Sequence, residues 1–214
     1  PLVQRIYYYR AHAMDLLMAA SCSVYEEESH QCLFLGAGLD DTLVQKFCCK
    51  NGVSTFCVDF EEVLAKRGEA TPCHHVAADL RDVPILEDKL ASAGLSYDKP
   101  TVVVLECVLA YLPREAAIKL LRFLDDHFPR FLCITYDPLF GNGKDHSEVA
   151  SGFTADLRHA FIKRGAAVHF SSEDADAHHA CLRNASLQHV LVMSMLEMQH
   201  AFREDLSASV FRQP

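Results

Sequence analysis

The run Thr101–Leu105 (TVVVL) constrains the fold more than any other segment of the chain. Its apolar residues do not alternate with polar ones, which is typical of a strand buried on both faces of a parallel sheet. Parallel strands need crossover connections, and helices usually supply them. The rest of the chain is therefore expected to alternate short strands with helices.

That alternation is present along most of the sequence. The predicted strands are Cys32–Leu35, Thr55–Val58, His75–Ala78, Thr101–Leu105, Phe131–Tyr136 and Ala166–Phe170. The predicted helices are an N-terminal one that carries Tyr7–Tyr9, then 40–50, Glu61–Arg67, Ile85–Ala93, Pro113–Phe128, Phe153–Arg164 and Val190–Asp205. The pattern predicts an α/β fold with a Rossmann-like doubly wound sheet in a single domain over residues 1–214. Ligands of such sheets bind beyond the carboxyl ends of the strands.

Composition argues against several classes of partner. The 214 residues have a net charge of −9 and no dense Lys/Arg run, so a nucleic-acid partner is not expected. No apolar stretch reaches the roughly 20 residues of a membrane helix, and no signal peptide is visible, so no membrane association is predicted. The nine cysteines lack framework or paired spacings, which predicts free thiols in the cytoplasm and no metal site.

The segment Gly36-Ala37-Gly38 follows the first predicted strand. Glycine at this place lets a ligand approach the backbone closely. Taken alone, the GxG pattern is equally consistent with an ordinary turn between a strand and a helix. The later glycine of GxGxxG is absent, and Asp40 and Asp41 would repel a phosphate at the helix start. The turn therefore favours a cationic nucleoside without phosphates.

Carboxylates close the next predicted strands. Asp59 is placed either to accept hydrogen bonds from ribose hydroxyls or to cap the helix that begins at Glu61. Asp79 can accept from an adenine amino group while Leu80 packs on the ring. Glu106 follows the buried strand and needs a cationic or hydrogen-bonding partner to offset its desolvation. Together with the glycine turn, these acids predict a site for S-adenosylmethionine, which has no phosphate and carries a sulfonium charge.

Five segments resemble, in order, the leucine carboxyl methyltransferase family. They are RIYYYRAH at 5–12, LGAGLD at 35–40, VDF at 58–60, ADLRD at 78–82 and ECVLAY at 106–111. The last two together are specific, whereas GAG alone is not. The resemblance implies a sheet of the S-adenosylmethionine-dependent methyltransferase type. It also implies transfer of a methyl group to the C-terminal leucine carboxylate of the protein phosphatase 2A catalytic subunit, with a methyl ester and S-adenosylhomocysteine as products.

The resemblance also implies a role for each matched residue. The implied cofactor contacts are Gly36, Ala37 and Gly38 under the ligand, Asp59 on the ribose, Asp79 and Leu80 on the adenine, and Glu106 on the methionine ammonium. Arg10 would bind the methionine carboxylate or the leucine carboxylate of the substrate, and Tyr111 would line the substrate end of the pocket. No acid or base is needed, because a peptide carboxylate is already an anion at neutral pH.

The chain departs from the family at both ends. Relatives have a longer N-terminal lid and a final strand, so we expect this chain to lack both. Three other functions stay open from the sequence: a small-molecule carboxyl methyltransferase, a tRNA-modifying methyltransferase of the same superfamily, and a cofactor-binding fragment without catalysis.

Overall fold

A computed structural model describes residues 2–26, 28–48, 52–67, 73–137, 163, 169–170, 175–185, 187, 189–193 and 197. The strands in this part of the chain are β1 Gln31–Leu35, β2 Ser54–Asp59, β3 His74–Ala77, β4 Thr101–Glu106 and β5 Phe131–Tyr136. The α-helices are α1 Leu2–Val24, α2 Glu61–Arg67, α3 Val83–Ser92, α4 Arg114–His127 and α5 Ala175–Asn184. A π-helical segment, Val44–Cys48, follows β1, and a 3₁₀ turn, Leu109–Tyr111, follows β4.

The five strands form one sheet in the order β3-β2-β1-β4-β5, and every pairing is parallel. Leu33, in the middle of β1, pairs with Phe56 of β2 on one side and with Val103 of β4 on the other. The strand order reverses between β1 and β4, so a crevice opens beyond the carboxyl ends of these two strands. The predicted α/β doubly wound sheet is confirmed.

Side-chain alternation along β1 divides the core into two layers. Leu33 and Leu35 pack on one face with the buried leucines of α3 and α4. Cys32 and Phe34 point to the opposite face, where α1 covers the sheet with Met14 and Met18. Because α1 also carries Arg10, its packing on this face sets where that arginine lies relative to the ends of the strands.

Helix α4 buries the apolar stripe that its sequence predicts. The buried members are Ala117, Leu120, Leu121, Leu124 and, just past the helix, Phe128, each at most 1% exposed. Pro113 precedes the first helical residue, and its carbonyl accepts a hydrogen bond from the Ala117 amide at 3.0 Å. Full burial of each leucine contributes roughly 1.5–3 kcal/mol, so this stripe is a main anchor of the sheet layer.

The predicted helix Val190–Asp205 differs from the structure. Val190–Met193 are not helical, which contradicts the start of the predicted helix Val190–Asp205. Val190 and Val192 pack against the core while Leu191 is 82% exposed, and this period of two belongs to an extended segment. The rest of that predicted helix, except Glu197, lies outside the described residues.

Helix α5 was not predicted, because its polar first turns hide a short apolar face. That face comprises His178, Cys181, Leu182 and Ala185, all buried at helical spacing. The predicted helix Phe153–Arg164, except Lys163, lies outside the described residues. The predicted strand Ala166–Phe170 also lies outside the described residues, except for His169 and Phe170. The amides of these two residues donate to the carbonyl of Ala110, which is not in a strand.

The N-terminal helix forms as predicted, and two of its tyrosines are exposed. Tyr7 and Tyr8 are 57% and 66% exposed, because they lie on the outer side of α1 before its buried stretch begins.

Candidate functional site

The glycine turn after β1 needs glycine at both positions, for different reasons. Gly36 and Gly38 have φ values of +71° and +59°, in the left-handed region. A Cβ atom on Gly36 would lie 2.6 Å from Cγ2 of Val108, whereas one on Gly38 would meet nothing within 4 Å. Gly36 therefore allows the turn to pack against the segment after β4, and Gly38 leaves open space beside the backbone.

Arg67, the last residue of α2, holds this turn by its carbonyl groups. Its Nη1 donates to the carbonyl oxygens of Ala37, Gly38 and Asp40 at 2.8, 2.9 and 3.0 Å. The sequence did not single out Arg67, because a basic residue in the last turn of a helix is common without any function. Only the folded chain shows that it orders the loop on which a ligand would lie.

Asp59 holds the same turn by its amide groups. Its Oδ2 accepts from the Gly38 amide at 2.8 Å, and its Oδ1 accepts from the Phe60 amide at 2.7 Å. Both donors lie outside α2. Within the described part of the chain, Asp59 therefore does not cap α2, which was the alternative role. The carboxylate lies beside the glycine turn, where the ribose contact was predicted.

Arg10 and Glu106 meet above the glycine turn. Arg10 Nε lies 2.9 Å from Glu106 Oε1, and both side chains are nearly three-quarters buried. The Arg10 Nε–H is not aligned for a hydrogen bond, so charge rather than hydrogen bonding brings the two groups together. Burial raises the pKa of Glu106, while Arg10 opposes that rise. Arg10 is therefore the cationic partner that Glu106, a carboxylate at the end of a buried strand, requires.

These groups surround one cavity of about 170 Å³ at the carboxyl ends of β1 and β4. Its lining includes the predicted residues Arg10, Gly36, Ala37, Gly38 and Glu106, and also Phe34, Asp40, Leu43 and Val104. The cavity lies at the reversal of strand order, where the fold predicts a ligand. Asp59 adjoins it through its bond to Gly38, while Asp79, Leu80 and Tyr111 lie outside its lining.

Asp79 and Leu80 follow β3 at the same edge of the sheet. Both carboxylate oxygens of Asp79 accept from the Arg81 guanidinium, and Oδ1 also accepts from the Arg81 amide. These hydrogen bonds hold the pKa of Asp79 below its ordinary value. Leu80 is only 8% exposed and packs into the core. An adenine at this place would compete with the exposed Arg81 for Asp79, and the adenine role of both residues stays a prediction.

Asp137 is a half-buried carboxyl group that the reading of the sequence did not single out. It directly follows β5, and its Oδ1 accepts from the Ala110 amide at 2.9 Å. Its Oδ2 is buried and has no hydrogen-bond partner within the described part of the chain. Burial raises the pKa of Asp137 to about 7. The signal was available, since an acid directly after a predicted strand is the pattern that singled out Asp59 and Glu106.

Asp137 fixes the turn that carries Cys107 and Tyr111. Cys107 has a φ of +56°, which is rare for a residue other than glycine, and its amide donates to the Tyr136 carbonyl at 2.6 Å. Arg10 Nη1 lies 3.8 Å from the Cys107 sulfur. Burial raises the pKa of Tyr111, with Arg10 among the charges acting on its hydroxyl. The substrate role of Tyr111 stays a prediction.

Comparison with known proteins identifies the family. Residues 1–125 match the family model described as leucine carboxyl methyltransferase. The chain belongs to this family. The leucine carboxyl methyltransferase 1 of Caenorhabditis elegans is 28% identical over 142 residues, which cover 65% of this chain and 40% of that protein. The protein of the same name from Eremothecium gossypii is 41% identical over 83 residues, which cover 39% of this chain and 25% of that protein.

A second group of proteins similar to this chain carries a different name. The tRNA wybutosine-synthesizing protein 4 of Rattus norvegicus is 28% identical over 172 residues, which cover 65% of this chain and 25% of that protein. The chain spans at most half the length of the curated relatives it matches.

Solved structures agree on the fold. The methyltransferase CalO6 matches with a TM-score of 0.52 at 15% identity, over 79% of this chain and 53% of that one. The LepI complex with SAM matches with a TM-score of 0.53 at 13% identity, over 78% and 40%. Both likenesses show the Rossmann-like fold of S-adenosylmethionine-dependent methyltransferases. Among the described residues, no helix combines the length and the apolar character that crossing a bilayer requires.

Proposed function

We propose that this chain binds S-adenosylmethionine in the crevice between β1 and β4 and transfers its methyl group to the C-terminal leucine carboxylate of the protein phosphatase 2A catalytic subunit. One observation carries the proposal: Arg10 and Glu106 meet at the open glycine turn of a family member. A site with one cationic and one anionic side chain, beside backbone that a ligand can approach closely, suits a zwitterionic ligand.

The residues of the cavity fit this cofactor. Glu106 offers a carboxylate to the methionine ammonium, and Arg10 offers a guanidinium to a carboxylate of the cofactor or the substrate. The space beside Gly38 admits a ligand close to the backbone. Asp59 is at hand for ribose hydroxyls, and Asp40 in the lining would repel a phosphate. The bound cofactor would supply an electrophilic methyl group attached to a positively charged sulfur.

The chain would contribute alignment and exclusion of water rather than proton transfer. The substrate carboxylate is already ionised at neutral pH, so one of its oxygens can form the new bond to the methyl carbon without a base. The C–S bond breaks as the C–O bond forms, and the electron pair stays on sulfur. Arg10 would orient the carboxylate, and the apolar side chains Phe34, Leu43 and Val104 would keep this part of the site dry.

The test is transfer of a labelled methyl group from S-adenosylmethionine to purified phosphatase 2A catalytic subunit. We expect a label that mild base releases and that needs the C-terminal leucine. Glu106→Gln should abolish most of the transfer, whereas Glu115→Gln, at an exposed position of α4, should not. A base-stable label, or one that survives deletion of the leucine, contradicts the proposal.

A tRNA substrate is the second candidate, favoured by the 28% identity to the rat tRNA wybutosine-synthesizing protein 4. The net charge of −9 weighs against it, because binding to phosphates relies on basic surface. The same labelling assay with total tRNA and with small carboxylic acids separates these substrates from the phosphatase.

We also propose that the chain is cytoplasmic. Eight cysteines within the described residues form no disulfide, including the half-buried Cys22 and Cys73. Free thiols in this number support a reducing compartment.

A further inference from the structure

A second group of functional side chains lies away from the cavity, where the end of α1 meets the start of β1. Cys22, His30 and Cys32 place one potential ligand atom each within 4.8 Å of one another. His30 and Cys32 are 7% and 0% exposed, and Cys22 is half-buried, which leaves a path from solvent. The sequence spacing of these three residues matches no paired pattern, so the sequence analysis predicted no metal site.

His30 is oriented as a ligand. Its Nδ1 lies 3.2 Å from the carbonyl oxygen of Glu28, and a carbonyl only accepts, so Nδ1 carries the proton. In the neutral ring, the form that binds a metal, Nε2 then holds the lone pair. That atom is buried and has no hydrogen-bond partner among the residues that the structure describes. A backbone carbonyl on one ring nitrogen and an unused lone pair on the other is the arrangement that metal-binding histidines commonly have.

A third thiol stands next to the group. Cys48, at the end of the π-helical segment, is 2% exposed and belongs to the same buried core layer as Cys32. The donor atoms of Cys22, His30 and Cys32 form the compact group, so the Cys48 sulfur would move toward them as an ion binds, and each coordinating thiol would lose its proton.

We propose that Cys22, His30 and Cys32, with Cys48 as the fourth donor, form a structural Zn²⁺ site. Three sulfurs and one imidazole nitrogen are a common donor set of structural zinc, and the absence of oxygen from this donor set disfavours Ca²⁺ and Mg²⁺. The ion would tie the C-terminal end of α1 to β1. Because α1 carries Arg10, the bound ion would also fix that arginine over the glycine turn. This structural role would not depend on which group the chain transfers or on which substrate accepts it.

The experiment measures zinc in the full chain after expression with added Zn²⁺ and dialysis against metal-free buffer. We expect about one Zn²⁺ per chain, and below about 0.1 in Cys22→Ser and in His30→Gln. Cys133→Ser, which removes a thiol of β5 on the other face of the sheet, should keep about one. Replacement by Co²⁺ should give the visible absorption of a tetrahedral cobalt–thiolate site in the parent chain and in Cys133→Ser alone.

A stability measurement guards against variants that bind no metal because they do not fold. Chelation should lower the Tm of the parent chain and added Zn²⁺ should restore it, whereas the Tm of folded Cys22→Ser should respond to neither. Zinc content that is negligible in the parent chain, or equal in the parent, Cys22→Ser and His30→Gln, overturns the proposal. A Cys22–Cys32 disulfide in freshly purified protein, or preferential loading with copper, overturns it as well.

Discussion

Glu106 is a residue whose charge the cavity depends on, because it lies with Arg10 where the ligand ammonium is expected. Glu106→Gln keeps the size of the side chain and removes the charge. Hydrogen bonds to charged groups contribute about 1.5–3 kcal/mol, so we expect S-adenosylmethionine to bind roughly 10- to 100-fold more weakly. Calorimetric titration measures this, with Glu115→Gln as the matched control. An unchanged Kd in Glu106→Gln would show that Glu106 does not bind the ammonium group of the ligand.

Asp137 gives a prediction about pH. Its pKa is raised from 3.8 to about 7, so the folded chain holds this proton more tightly than the unfolded chain does. Ionisation of Asp137 therefore lowers the free energy of unfolding as the pH rises from about 4 to about 7. Allowing for its partial exposure, the loss is about 2 kcal/mol, and Asp137→Asn should lack it.

Urea unfolding at several pH values measures this difference. The curves of the parent chain and Asp137→Asn should diverge between pH 4 and 7, even if the variant is less stable at every pH. Asp98→Asn, at an exposed position, should run parallel to the parent chain. Parallel curves for Asp137→Asn would mean that the carboxyl group is not protonated in the folded state near neutral pH.

At the scale of elements, the glycine turn offers a matched pair of substitutions. Gly36→Ala adds a Cβ 2.6 Å from Val108 and strains a positive φ, whereas Gly38→Ala strains φ but meets no atom. We expect Gly36→Ala to lower the free energy of unfolding by about 1–2 kcal/mol more than Gly38→Ala does. Equal losses in chemical denaturation would show that the turn does not pack on Val108.

Arg67 connects the end of α2 to that turn. Arg67→Ala removes the donor to three carbonyl oxygens, so the turn should open more often. We expect the Gly38 amide, which donates to Asp59, to exchange its hydrogen about 10-fold faster, equivalent to roughly 1.4 kcal/mol of local stability. Native-state hydrogen exchange measures this, and Lys66→Ala, on the exposed neighbour, should leave the rate unchanged. A slow Gly38 amide in Arg67→Ala would show that Asp59 alone holds the turn.

The elements that the sequence predicted best are those whose apolar pattern is local. The strand predicted at Phe131–Tyr136 has the observed bounds, and the one predicted at Thr101–Leu105 differs by a single residue. The positions of Glu106 and the glycine turn followed from the strand ends. The contacts of Arg67 and Asp137 did not, because each joins segments that are about 30 residues apart and no local pattern encodes such a pairing.

At the scale of the whole molecule, the sheet order decides which predicted groups meet. The order β3-β2-β1-β4-β5 makes β1 and β4 neighbours although 65 residues lie between the end of β1 and the start of β4, and this brings Gly36 and Glu106 to one cavity. Asp79 follows the outer strand β3 and lies farther along the same edge. An adenosyl group could lie along this edge with its methionine end at β4 and its adenine end near β3, as the predicted contacts require.

The most direct test of the proposed cofactor site is a crystal structure of the chain with S-adenosylhomocysteine. We predict ligand density in the crevice between β1 and β4, with the amino group at Glu106, the backbone of Gly36 and Gly38 beneath the ligand and the ribose at Asp59. Ligand density at any other place on the chain, or the same crevice filled with the amino group away from Glu106, would contradict it.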